Sequence, residues 1–125
     1  NDIEWISPAT VREYVEHAYF WAPFEVDPDV IGMSGKDVWR ELKEQGVETR
    51  HRYVDPLYEQ PVFEGHRGFN SDFPWSENPR EHSYDLHLPN VEAVAGNTLG
   101  LPNHPALKEE DIKYVIETLR SFGSS

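Results

Sequence analysis

Cysteine is absent from the 125-residue sequence, so neither disulfides nor thiolate metal sites can hold the fold, and stability must come from packing and hydrogen bonds. Basic residues are scarce: 11 lysines and arginines stand against 23 acidic residues, a net charge of −12. That field repels phosphate backbones, and no cluster of basic residues is dense enough to overcome it, which argues against nucleic acid or an anionic membrane as the partner. No apolar run approaches the roughly 20 residues needed to cross a bilayer. The opening Asn1-Asp2-Ile3-Glu4 lacks the basic flank and apolar stretch of a signal peptide, so a soluble, cytoplasmic protein is expected. The chain also opens without methionine, which points to a piece of a longer protein.

What is present suits one compact domain over residues 1–125, since a chain of this length with 38% hydrophobic residues can bury a core. Residues 1–14, a lead-in segment, mix a Ser7-Pro8 cap signal with strand-like alternation and are left open. Val15 to Val26 is rich in aromatic and β-branched residues and reads as a strand that ends, or meets a sheet edge, at Pro23. Asp27-Pro28-Asp29 turns the chain. Ser34 as a cap, Asp37 in the first turn, Val38, Trp39 and Leu42 on one face and Gly46 as the left-handed stop predict a helix. Beyond it, Val47, Thr49, His51 and Tyr53 alternate with Glu48, Arg50 and Arg52, the period of a second strand.

Residues 55–88 are too dense in Pro, Gly, Asn and Ser for long regular elements, yet they carry too many aromatics for a loose linker. They are expected to form a structured irregular excursion. Val91, Val94 and Ala95 then make a short apolar stripe, and Thr98 to Leu101 a brief strand. Ile112, Val115, Ile116, Leu119 and Phe122 recur at three- and four-residue intervals up to Gly123, marking the clearest helix, with Lys108 at its cap position and Leu107 placed to pack on Ile112. The elements together imply an α+β fold, a small antiparallel sheet with helices packed on one face.

Chemistry-bearing motifs are few. His82, Asp85 and His87 form the densest histidine group, but lone His and Asp residues in a polar loop are usually surface groups, and no metal site is assigned. Gly65-His66-Arg67-Gly68 lacks the strand before and the helix after that a phosphate cradle requires. Glu109-Glu110-Asp111 suits the negative first turn of a helix better than acid–base chemistry. Arg50, His51 and Arg52 depart from the acidic background at a strand end ahead of a loop, where a rigid element can present side chains to a ligand; charge balance against neighbouring acids is the bland alternative.

Four stretches then fall into a known order. Leu99-Gly-Leu-Pro-Asn-His-Pro-Ala-Leu-Lys-Glu-Glu-Asp111 resembles the turn and last helix of the DegT/DnrJ/EryC1/StrS aminotransferases. Glu41 to Arg50 is similar to that family's helix, glycine stop and strand. Tyr53 through Pro56-Leu57-Tyr58-Glu59-Gln60-Pro61 resembles its tyrosine-to-Gln-Pro segment, and Leu88-Pro89-Asn90-Val91-Glu92 its stretch before the penultimate helix. The resemblance covers about residues 15–122 and corresponds to the family's C-terminal third. Tyr58 stands where a histidine is common, Gly100 where a serine is common, and residues 62–86 match no family pattern.

The resemblance implies the C-terminal small domain of a type I aminotransferase fold. The parent would use pyridoxal phosphate to move an amino group onto a keto sugar, often nucleotide-linked, or a keto cyclitol. It also implies that a missing large domain supplies the reactive lysine and the phosphate site, that the parent is a homodimer, and that this piece alone holds no cofactor and has no catalytic residue. Lys36, Lys43, Lys108 and Lys113 all fall on expected solvent-facing helix positions. Arg50, His51, Tyr53 and Tyr58 are implied as substrate contacts, on a loop that closes the substrate side of the site. A free-standing binding or assembly module of the same fold is the alternative function.

Overall fold

The computed structural model describes residues 2–51, 55–65, 68–77 and 87–123. The chain divides into two compact units, Asn1–Tyr53 with Gly96–Ser125, and Val54–Ala95.

The first unit is built on a sheet. Strand β1 (Ile6–Pro8) lies in the segment left open above, and β2 spans Ala22–Val26. Asp27 caps a one-turn helix, α1 (Pro28–Ile31), by accepting the Asp29 and Val30 N–H groups, and Gly32 closes it with φ +74°. Helix α2 (Gly35–Glu44) starts where the sequence places it, with the Ser34 hydroxyl accepting the Asp37 N–H at 3.2 Å. It stops through the bonds Gly46 N–H to Lys43 O and Val47 N–H to Leu42 O, with Gly46 at φ +77°. Strand β3 (Arg50–His51) follows; after α3 (Pro61–Glu64) and α4 (Pro89–Asn97), β4 (Thr98–Leu101) and α5 (Glu109–Phe122) complete the unit. Lys108 opens α5 without a side-chain cap bond, but its own N–H donates to Asp111 Oδ2 at 2.9 Å, the half of a capping box that a first-turn acid supplies.

The strands pair antiparallel in the order β1-β2-β4-β3. The register Ile6↔Val26, Phe24↔Leu99 and His51↔Leu99 puts Ile6, Phe24, Val26, Leu99 and His51 on one face. Ser7, Glu25, Thr98, Gly100 and Arg50 share the other. The apolar face meets Val38 and Leu42 of α2 and Leu119 of α5 in a core completed by Trp5 and Val47, so these two helices pack on the side expected.

Two expectations change. The strand expected over Val15–Val26 begins only at Ala22; residues 11–20 are all exposed, and Tyr19 takes φ +47°, incompatible with a ladder. Pro23 is not at a sheet edge, because β2 is an interior strand: Pro23 sits one residue from its start, pairs with Gly100 and accepts the Ala9 N–H through its carbonyl. The strand expected over Val47–Tyr53 is paired at Arg50 and His51, although its alternation holds, with Val47 buried and Glu48 and Arg50 exposed.

The second unit has no comparable layer. After Pro56 comes a 3-10 turn, Leu57–Glu59, then the one-turn helix α3 (Pro61–Glu64) and a second 3-10 turn, Trp75–Glu77. Gly68 and Ser71 exchange backbone bonds of 3.0 and 2.8 Å across Phe69 and Asn70, both at positive φ, the conformation of a tight hairpin turn. A Cβ at Gly68 would stand 2.8 Å from the Phe73 carbonyl, so glycine is required there. Trp75 meets Phe63 edge-on, with ring centres 6.3 Å apart. Helix α4 (Pro89–Asn97) begins in this unit, and none of its residues is buried, so the Val91 and Val94 stripe is open among the described residues.

Candidate functional site

Arg50 and His51 lie side by side on β3, which sends their side chains to opposite faces. His51 faces the core side. Its Nε2 is 3.0 Å from the Gly96 carbonyl, so that nitrogen carries the proton, and its ring centre is 6.1 Å from that of Trp39. Trp39 is fixed in turn by its indole N–H, which donates to the Thr49 carbonyl at 3.2 Å, and Lys43 Nζ sits 5.3 Å above the ring. His51 is thus bound into the fold and has only Nδ1 left to offer.

Arg50, at the neighbouring strand position, lines an open cleft of about 560 Å³. Trp21, Glu48 and Gly100 line it with Arg50 on the sheet side, His104 comes from the turn after β4, and Tyr114 from α5. Tyr114 is steadied by donating its hydroxyl to the Gln45 carbonyl at 2.7 Å. Gly100 explains a departure noted in the sequence. A Cβ there would collide with Trp21 Nε1, so the indole occupies the space that a serine side chain would need. The cleft therefore offers an aromatic wall, one guanidinium, one imidazole and two carboxylates, Glu48 and Asp111.

Tyr58 belongs to the second unit, on the 3-10 turn. Its hydroxyl donates to Glu92 Oε1 at 3.0 Å; desolvation, then the adjacent Glu92 carboxylate, raises the phenol above its ordinary range. Desolvation pushes Glu92 upward, but the Leu88 N–H, the Tyr58 hydroxyl and His87 outweigh it and hold that carboxyl below its ordinary range. Tyr53, Arg52, His82 and Asp85 lie outside the described residues. The structure thus places Arg50 and His51 on one strand with divergent side chains, and Tyr58 in a different unit. Glu92 was missed by the reading of the sequence, although it stands four residues after Leu88, the spacing at which a carboxylate can reach back to a helix entry. Among the described residues, no group of three His, Asp or Glu side chains could hold a metal ion.

The lysines decide how a pyridoxal phosphate group would fit. Imine formation needs an amine that is desolvated or otherwise stripped of its proton. Lys36, Lys43, Lys108 and Lys113 are all exposed; Lys108 pairs with Glu110 at 3.3 Å and Lys113 with Glu109 at 2.7 Å. None of the four lines the Arg50 cleft. The residues of this chain therefore do not fit the group.

This sheet-and-helix architecture is that of aminotransferase domains. An aminotransferase from Streptoalloteichus hindustanus, TlmJ, superposes with a TM-score of 0.66 at 22% identity, and a DegT DnrJ EryC1 StrS aminotransferase from Brucella abortus with 0.67 at 19%; each alignment covers 97% of this chain and 27% of the other. The sequence model of the DegT/DnrJ/EryC1/StrS aminotransferase family matches residues 1–120, and the chain belongs to that family. Among curated relatives, a pleiotropic regulatory protein of Geobacillus stearothermophilus is 37% identical over 81 residues, which is 65% of this chain and 18% of that protein. An uncharacterized protein of Methanocaldococcus jannaschii is 23% identical over 125 residues, 99% of this chain and 28% of that one. The chain thus spans less than a third of the length of the relatives it matches.

Proposed function

We propose that this chain is the C-terminal small domain of a cytoplasmic, homodimeric, pyridoxal-phosphate-dependent aminotransferase acting on a keto sugar, often nucleotide-linked, or a keto cyclitol. The observation that carries this reading is that a chain matching the aminotransferase family over residues 1–120 has all four of its lysines exposed. Its chemistry must then be completed by a cofactor domain elsewhere in the parent, in keeping with the 27% coverage of the solved relatives. Residues 1–125 serve as one small domain, and the loop after β3 covers the substrate side. The exposed apolar side chains fit a domain meant to be covered: Ile112 and Ile116 of α5 line an apolar groove of about 570 Å³.

Within that site Arg50 supplies a fixed positive charge from a rigid strand, able to hold an anionic or polyhydroxyl part of the substrate by paired hydrogen bonds. The family pattern makes His51, Tyr53 and Tyr58 further proposed substrate contacts, His51 through the Nδ1 that its bond to Gly96 leaves over. The test is steady-state kinetics of the full-length enzyme. Arg50→Ala should raise KM for the sugar about tenfold or more with kcat largely kept, since removing ground-state and transition-state binding equally moves KM alone. An unchanged KM would reduce Arg50 to a surface charge.

A further inference from the structure

Three donors converge on Glu92. The Tyr58 hydroxyl and the Leu88 N–H each reach Oε1 at 3.0 Å, and His87 Nδ1 lies 3.0 Å from Oε1 and 2.9 Å from Oε2. An ionised carboxylate has no proton to give. Chemistry therefore fixes the direction of every bond in the cluster: Tyr58 commits its one proton to Glu92, and His87 must carry hydrogen on Nδ1. What the two side chains show outward follows. Tyr58 Oη keeps only lone pairs, and with the hydrogen of an uncharged imidazole held on Nδ1, Nε2 is the nitrogen left bare, on a side chain that is 81% exposed.

We propose that Glu92 is a positioning residue that sets the hydrogen-bond polarity of Tyr58 and His87, so that both act as acceptors and select a donor-bearing substituent, an amino or hydroxyl group, over a phosphate or carboxylate. The proposal rests on the reading of Tyr58 as a substrate contact. A tyrosine without such a partner could donate to an anion; beside Glu92 that option is gone. The charge agrees, because the Glu92 carboxylate adds to a chain whose net charge is −12 with its histidines counted neutral, which favours an ammonium group and repels an anion.

The test uses side-chain NMR of tyrosine and histidine in the full-length protein, with D-glucosamine and inorganic phosphate as probes. In the wild type, glucosamine should move the Tyr58 and His87 signals and bind there about fivefold or more tightly than phosphate, the scale of one net hydrogen bond, with the imidazole proton on Nδ1. Glu92→Leu frees both side chains to donate, and the preference should shift toward phosphate, although only one of the chain's many negative charges is removed. Glu92→Gln keeps the shape, and its carboxamide can donate to His87, so the imidazole proton should move to Nε2; this variant carries the test if the leucine variant fails to fold. Phosphate bound as well as glucosamine in the wild type, or a wild-type His87 protonated on Nε2, would overturn the proposal alone. Signals that neither probe moves, with Nδ1 still protonated, would overturn the substrate-contact reading of Tyr58 and the proposal with it.

Discussion

The two units are held together by different physics. Among the described residues, the eight buried side chains that form the hydrophobic core, from Trp5 to Leu119, all lie in the first unit. In the second, Pro56 is the one buried residue among those described, and the contacts that organise it are turns, an edge-on aromatic pair and the polar cluster at Glu92. Packing density should therefore decide the stability of the first unit and protonation that of the second. Apolar burial is insensitive to pH, whereas a carboxylate collecting three donors is not.

The largest effect expected from this contrast is at Leu42 or Leu99, both fully buried. Either change to Ala should cost about 2–5 kcal/mol in chemical denaturation, whereas Leu57→Ala, at a side chain 70% exposed in the second unit, should stay within about 0.5 kcal/mol. Equal losses would erase the distinction. Next comes Gly100→Ser, which forces Trp21 aside and should cost about 1–3 kcal/mol. In a double-mutant cycle that penalty should shrink when Trp21 is also replaced by Ala, and a penalty independent of Trp21 would contradict the steric account. Gly46→Ala meets no neighbouring atom but must hold φ +77°, a pure backbone cost of roughly 1–2 kcal/mol.

The smallest effect sharpens the comparison from the other side. The Glu92 carboxyl is depressed in the folded chain, so its contribution is present above the ordinary glutamate value of 4.5 and is lost as pH falls through the lower folded value. The Tyr58 phenol is raised, so its contribution is present below the ordinary tyrosine value of 10.0 and is lost as pH rises through the higher folded value. Hydrogen exchange at the Leu88 amide should speed up, relative to its intrinsic rate, at both extremes while the Leu99 amide stays protected. Parallel behaviour of the two amides would mean one cooperative unit.

Legibility in the sequence follows the same division. The helix after Ser34 was readable because cap, apolar face and stop were each written locally, and Gly46 takes the positive φ the reading required. The last helix was readable from its spacing even though its cap is a lysine, whose own N–H is taken up by Asp111 in the first turn. Strand β1 was not readable: three residues carry no period, and Ile6 is defined by its pairing with Val26, twenty positions away. Val15 to Phe20 misled because β-branched and aromatic residues predict strand only where a partner strand exists. At the candidate site, Arg50 and His51 could be found as adjacent residues, but their divergence depends on strand pairing, and the Tyr58–Glu92 bond spans 34 positions that no local pattern connects.

Whether the chain itself offers an amine partner to the cofactor is decided by mixing the purified chain with pyridoxal phosphate, reducing with borohydride and mapping the product by mass spectrometry. Only sparse labelling spread over Lys36, Lys43, Lys108 and Lys113 is expected, with the cofactor's absorbance unchanged before reduction. A stoichiometric adduct at a single lysine would contradict that expectation.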